Sequence, residues 1–108
     1  MIKQLETHYL EQQLRKAEQE QQSQRRELAL MHYQRAYNEA CWLCDHFIEG
    51  ECAGYAEQAI HYLQYAAAGC IACSDSTQIC ATIEADRNSY QLKINTTFGV
   101  EFSQNLLK

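Results

Sequence analysis

The chain has no proline, only four glycines, a single tryptophan and no long apolar run in its 108 residues. Without proline nothing sterically interrupts a helix, so long continuous helices are expected. No stretch approaches the ~20 apolar residues that span a bilayer, which argues against a transmembrane helix. The segment Met1-Ile2-Lys3-Gln4-Leu5-Glu6 lacks an apolar run as well, so no secretory signal is expected and the chain reads as cytoplasmic. Basic residues are scarce: nine Lys and Arg stand against fourteen Asp and Glu, a formal net charge of -5. That is the wrong sign for a protein that grips phosphates, and the short patch Arg25, Arg26 and Arg35 is offset by Glu27 and Glu39. Direct nucleic-acid binding is therefore not expected. No nucleophile elbow, phosphate loop or paired-carboxylate motif occurs, and the expectation is a non-enzymatic protein.

What the chain does have is a hydrophobic fraction of 46%, enough at this length for one globular core. Residues 1–28 are mostly Gln, Glu, Lys and Arg, good helix formers with few apolar positions: Leu5, Leu10, Leu14, Ala17 and then Leu28. They read as a polar helical extension, a weak coiled coil or a solvated helix, with Gln21 and Gln24 in the middle of the seam. Residues 29–108 read as a single α+β domain. Leu30, Tyr33, Tyr37, Ala40, Cys41, Cys44, Phe47 and Ile48 recur at helical spacing, and Ala56, Ala59, Ile60, Leu63, Ala66, Ala67 and Cys70 do so again after Glu49-Gly50-Glu51. Gly50 is expected to take the left-handed conformation that stops a helix. The two stripes predict an antiparallel helical hairpin over 29–72, into which the long N-terminal helix continues.

The last third alternates. Ile79, Ala81, Ile83 and Ala85 are interleaved with polar residues, as are Tyr90, Leu92 and Ile94, and then Phe98, Val100 and Phe102. Period two with β-branched and aromatic content predicts strands, and turns at Asp86–Ser89 and Asn95–Thr97 put the large apolar residues on one face. A three-stranded antiparallel β-meander over 78–103 is expected, packed on the hairpin. A competing reading continues residues 70–88 as a helix with Cys70, Cys73, Thr77 and Cys80 on one side.

Cys41-x-x-Cys44 and Cys70-x-x-Cys73 have metal-ligand spacing, with His61 as a further ligand, so zinc is the cofactor to consider. A hairpin turning near Gly50 places Cys41 opposite His61 and Cys70 opposite Met31 or His32. The two pairs are then roughly 12 Å apart at 1.5 Å rise per residue, too far for one zinc. The alternatives are small buried core cysteines, or a thiol-redox pair with a lowered pKa at Cys41 or Cys70.

The stretch Ala40-Cys41-Trp42-Leu43-Cys44, with Cys70-Ile71-Ala72-Cys73 and Cys80-Ala81, resembles the cysteine-rich four-helix copper-binding proteins over half the chain. That family's dense cysteine ladder is missing and the alternating last third does not match a fourth helix, so no residue role is carried over. The function expected is a small protein-binding module, an inhibitor or adaptor of a larger machine of the kind phages and mobile elements encode. The alternative is a zinc- or copper-binding regulatory protein. Contacts are expected from Leu10, Leu14, Leu28, Tyr33 and Tyr37 on the helices, and from Phe98, Val100 and Phe102 on an exposed edge strand. The partner is another protein, and homo-oligomerisation through the same elements is expected.

Overall fold

Helix-forming residues without proline do give helices, from near one end of the chain to the other. The computed structural model describes residues 7–99. It consists of α1 (His8–Gln22), α2 (Arg26–Glu49), α3 (Ala53–Cys73) and α4 (Thr77–Phe98), with no strand among the described residues. The expected β-meander is therefore corrected to a helix, α4. Its alternating residues also satisfy a helical repeat: Ile83, Tyr90, Ile94 and Phe98 fall on the side that meets the core, whereas Ala81, Ala85 and Leu92 face away. The start is set by Ser76, whose side chain accepts a hydrogen bond from the Ile79 backbone N–H at 3.2 Å. No glycine lies between Gly69 and Gly99 to make a hairpin turn. The competing helical reading of residues 70–88 is the one the fold follows, except that Ser74–Ser76 breaks the segment between α3 and α4.

The expected continuous N-terminal helix is also interrupted. α1 ends at a turn in which the Arg25 N–H donates to the Glu20 carbonyl and the Gln24 N–H to the Gln21 carbonyl. Gln24 takes the left-handed conformation (φ 62°) in this turn, which folds α1 back along α2. The turn between α2 and α3 repeats the pattern, with Cys52 N–H to Phe47 carbonyl and Glu51 N–H to Ile48 carbonyl. Here the expectation is off by one residue: Gly50 is right-handed (φ -80°), and Glu51 occupies the left-handed position (φ 55°).

α2 and α3 form an antiparallel hairpin, the most extensive contact in the fold. Their seam is rich in fully buried alanines: Ala29, Ala36 and Ala40 on α2, and Ala56, Ala59, Ala66 and Ala67 on α3. Leu43, Phe47, Ile60 and Leu63 fill the wider gaps. Gly69 lies directly under the ring of Tyr33, fixing the register near the end of α3. α1 packs on α2 through buried Leu10, Gln13, Leu14 and Ala17, with Gln13 Oε1 2.7 Å from His32 Nδ1. α4 packs mainly on α3 and contributes only Ile83 and Ile94 to the fully buried set.

Two outcomes follow from this packing. Glu51→Gly relieves about 1–2 kcal/mol of left-handed strain and adds somewhat less unfolded-chain entropy, so thermal melts are expected to show a gain of about 0.5–1 kcal/mol; an unchanged or lower Tm would show that Glu51 is unstrained. Gly69→Ala pushes a methyl group into the Tyr33 ring. The overlap costs about 1–3 kcal/mol, more than the about 1 kcal/mol that alanine gains in helix propensity, so urea unfolding should report a net loss. In a Tyr33→Leu background the same change should cost nothing.

Candidate docking groove and cysteine seam

The tyrosines of the hairpin are long enough to reach past its alanine seam to the helices on either flank. On the α1 flank, the Tyr62 hydroxyl donates to Glu11 Oε1 at 3.0 Å, and the Tyr65 hydroxyl donates to Glu18 Oε1. Glu11 also accepts from the Thr7 hydroxyl. Leu14, Glu18, His61, Tyr62 and Tyr65 line an open groove of about 450 Å³ between α1 and α3. Tyr65 is 50% exposed there, a large aromatic face presented to solvent. Hydrogen bonds from Thr7 and Tyr62 hold the Glu11 carboxyl below the usual carboxylate range, with smaller help from Arg15 and His8. Tyr65 is pushed up to about 12, first by its bond to the Glu18 carboxylate and then by burial.

The α4 flank uses the same chemistry differently. The Tyr37 hydroxyl donates to Asp86 Oδ2 at 3.1 Å, and the Tyr90 hydroxyl to Asp45 Oδ2 at 3.0 Å. Asp45 also meets Lys93 at 3.7 Å, and Lys93 sits 4.8 Å from the Tyr90 ring centre. Arg87 bonds Gln64 at 2.8 Å and Glu84 at 2.9 Å. Cations from α4 itself thus complete this side.

Cys41, half-buried, lies in the α4 flank in hydrogen-bond contact with Tyr37 and Tyr90. Cys44, Cys70 and Cys73 are buried. Burial pushes the Cys41, Cys44 and Cys73 thiols up, and Cys70 up to about 12 with further repulsion from Cys73, Cys41 and Cys80. This is the opposite of the lowered pKa that the thiol-redox alternative requires. His61 is exposed on the α1 flank, lining the groove, away from the Cys41 side. Among the described residues no group of three or more His, Cys, Asp or Glu is arranged to hold a metal ion.

The expected contact residues are distributed unevenly. Leu10, Leu14, Tyr33 and Tyr37 are buried in the chain's own core, Leu28 is exposed, and Phe98 packs half-buried against the core. Val100 and Phe102 lie outside the described residues, and Phe98 belongs to α4 instead of an edge strand. The sequence reading missed Glu11, Glu18, Tyr62 and Tyr65 as a set. The available signal was their spacing, since residues seven apart on α1 and three apart on α3 each share a face. Trp42 is exposed and stacks on His46, with ring centres 5.3 Å apart and planes within 7°.

The described residues thus form four helices with a tyrosine-walled cleft, lined also by Glu18 and His61, between α1 and α3. Neither a known protein family, nor a curated protein, nor a solved structure matches the chain. No helix among the described residues is long and apolar enough to cross a membrane.

The Glu11 hydrogen bonds have a pH signature. A carboxyl whose folded pKa lies below its ordinary 4.5 stabilises the fold at higher pH, and that contribution is lost as pH falls through the folded value. Urea midpoints measured from neutral to strongly acidic pH should fall more steeply for the wild type than for Glu11→Gln; identical slopes would mean that the Tyr62 and Thr7 bonds do not persist in solution.

Proposed function

We propose that this chain is a small helical protein-binding module, an adaptor or inhibitor of a larger protein, that receives a partner segment in the groove between α1 and α3. The observation that carries this reading is the groove itself: two tyrosines, one of them half exposed, in an open cleft of about 450 Å³ that Glu18 also lines, with Glu11 bonded to Tyr62 beside it. Tyrosine supplies large contact area at low entropic cost and is enriched in interfaces. A flexible partner segment would bury these faces without rearranging the hairpin, because α1 is already docked on α2 by its own apolar residues.

The reading is tested by site-dependent capture. Tyr65→Ala removes the exposed ring without opening the core, while Leu92→Ala removes the most exposed large apolar side chain, on the far face of α4. A protein captured by the wild type and by Leu92→Ala but lost with Tyr65→Ala supports the groove. Capture that survives Tyr65→Ala and fails with Leu92→Ala would move the binding face to α4. Loss with both would be checked by circular dichroism for unfolding.

A further inference from the structure

Four carboxylates of the described residues have a cation supplied by the chain. Glu20 meets Arg25 at 3.3 Å, Asp75 meets Arg26 at 3.0 Å, Glu84 meets Arg87 at 2.9 Å and Asp45 meets Lys93 at 3.7 Å. Glu11 and Glu18, like Asp86 on the α4 flank, are held by tyrosine hydroxyls instead. Neither glutamate has an ion-pair partner among the described residues. Arg15 attracts Glu11 only from beyond ion-pair distance. A carboxylate that accepts one or two hydroxyl bonds keeps unused lone pairs; Glu18 keeps its own in the wall of the open cleft, and Glu11 stands next to it, bonded to the lining Tyr62.

Their separation is set by α1. Seven residues at 1.5 Å rise put Glu11 and Glu18 about 10 Å apart on one face. The same distance separates residues i and i+3 on one side of a polyproline II segment, at about 3.1 Å per residue. A guanidinium fits both surfaces of this cleft, because its flat face stacks on a tyrosine ring and its edge donates two parallel bonds to a carboxylate. The net charge of -5 favours approach of a basic segment over an acidic one.

Resting on the reading of the groove as a docking site, we propose that its occupant is an extended basic segment of a partner protein. Two arginine or lysine side chains three residues apart lie against Tyr62 and Tyr65 and pair with Glu11 and Glu18. The partner class is thus a protein with an exposed basic extended stretch, and the tyrosine hydroxyls hold the two carboxylates at the spacing that reads it.

The test uses the whole chain and the peptide acetyl-Arg-Pro-Pro-Arg-amide, with amide chemical-shift mapping by NMR. Shifts clustered on α1 and α3 around Glu11, Glu18, Tyr62 and Tyr65 are expected, with an affinity that falls as sodium chloride is raised. Replacing both arginines of the peptide by citrulline, which keeps shape and removes charge, should raise Kd by about tenfold or more in the wild-type protein, with no dependence on variant folding. Glu18→Gln should weaken the arginine peptide likewise while Leu92→Ala leaves it unchanged. A citrulline or acetyl-Leu-Pro-Pro-Leu-amide peptide that shifts the same amides as strongly would overturn the basic occupant and leave the groove standing as a docking site. Shifts confined to the cleft of Gln34, Tyr37, Asn38 and Asp86 would overturn the assignment to α1 and α3, as would no shift at all. Sedimentation of the wild type as a dimer that Tyr65→Ala dissociates would mean that a second copy fills the groove, and this also overturns the proposal.

Discussion

Alanine lets two helical backbones come closer than leucine does, and α2 and α3 meet through a run of fully buried alanines. Gly69 under the Tyr33 ring takes the same principle to its limit, since no methyl group fits there. A hairpin this narrow cannot enclose a core by itself. Its apolar residues spill to both edges, and α1 and α4 are needed to cover them. The flanking helices in turn bury little: Leu10, Leu14 and Ala17 on one, Ile83 and Ile94 on the other. The tyrosines make up the difference. They pack their rings against the hairpin and extend their hydroxyls to carboxylates on the flanking helices or, from Tyr90 on α4, back to Asp45.

How much of this could be read from residues alone follows from which interactions are local. The two helical stripes that become α2 and α3, and the turn between them near Gly50, come from periodicity and a single glycine, both short-range signals. The residue that takes the left-handed angle did not, because Glu51 is placed there by hydrogen bonds back to Phe47 and Ile48, which let a non-glycine residue hold the position. The last helix was misread for a different reason. Ile79, Ala81, Ile83 and Ala85 alternate, but alanine is small enough to face either water or a neighbour, so half of that alternation carried no information. The contrary signals were the Ser76 cap and the lack of glycine or proline up to Gly99. The groove was illegible because α1 was read as an extension, and its carboxylates gain meaning only once Ser23–Arg25 folds it back toward α3.

The cysteines illustrate the cost of reading spacing without burial. Each Cys-x-x-Cys pair lies on one face of its helix, and here that face is packed among the alanines and tyrosine rings of the core. Burial holds their thiols protonated, so they behave as small apolar residues with a weak donor. Cys41 meets the hydroxyls of Tyr37 and Tyr90.

The two flanks are built from the same donor and acceptor types yet end in different electrostatic states. On the α4 side, Lys93 and Arg87 come from α4 itself and pair with Asp45 and Glu84, while Asp86 is held by the Tyr37 hydroxyl. On the α1 side, tyrosine hydroxyls satisfy the geometry of Glu11 and Glu18 without an ion pair, with Arg15 and His8 attracting Glu11 from farther off. A hydroxyl bond orients a carboxylate without neutralising it. The proposed cationic partner of the α1 groove would supply that missing charge beside the half-exposed Tyr65 ring.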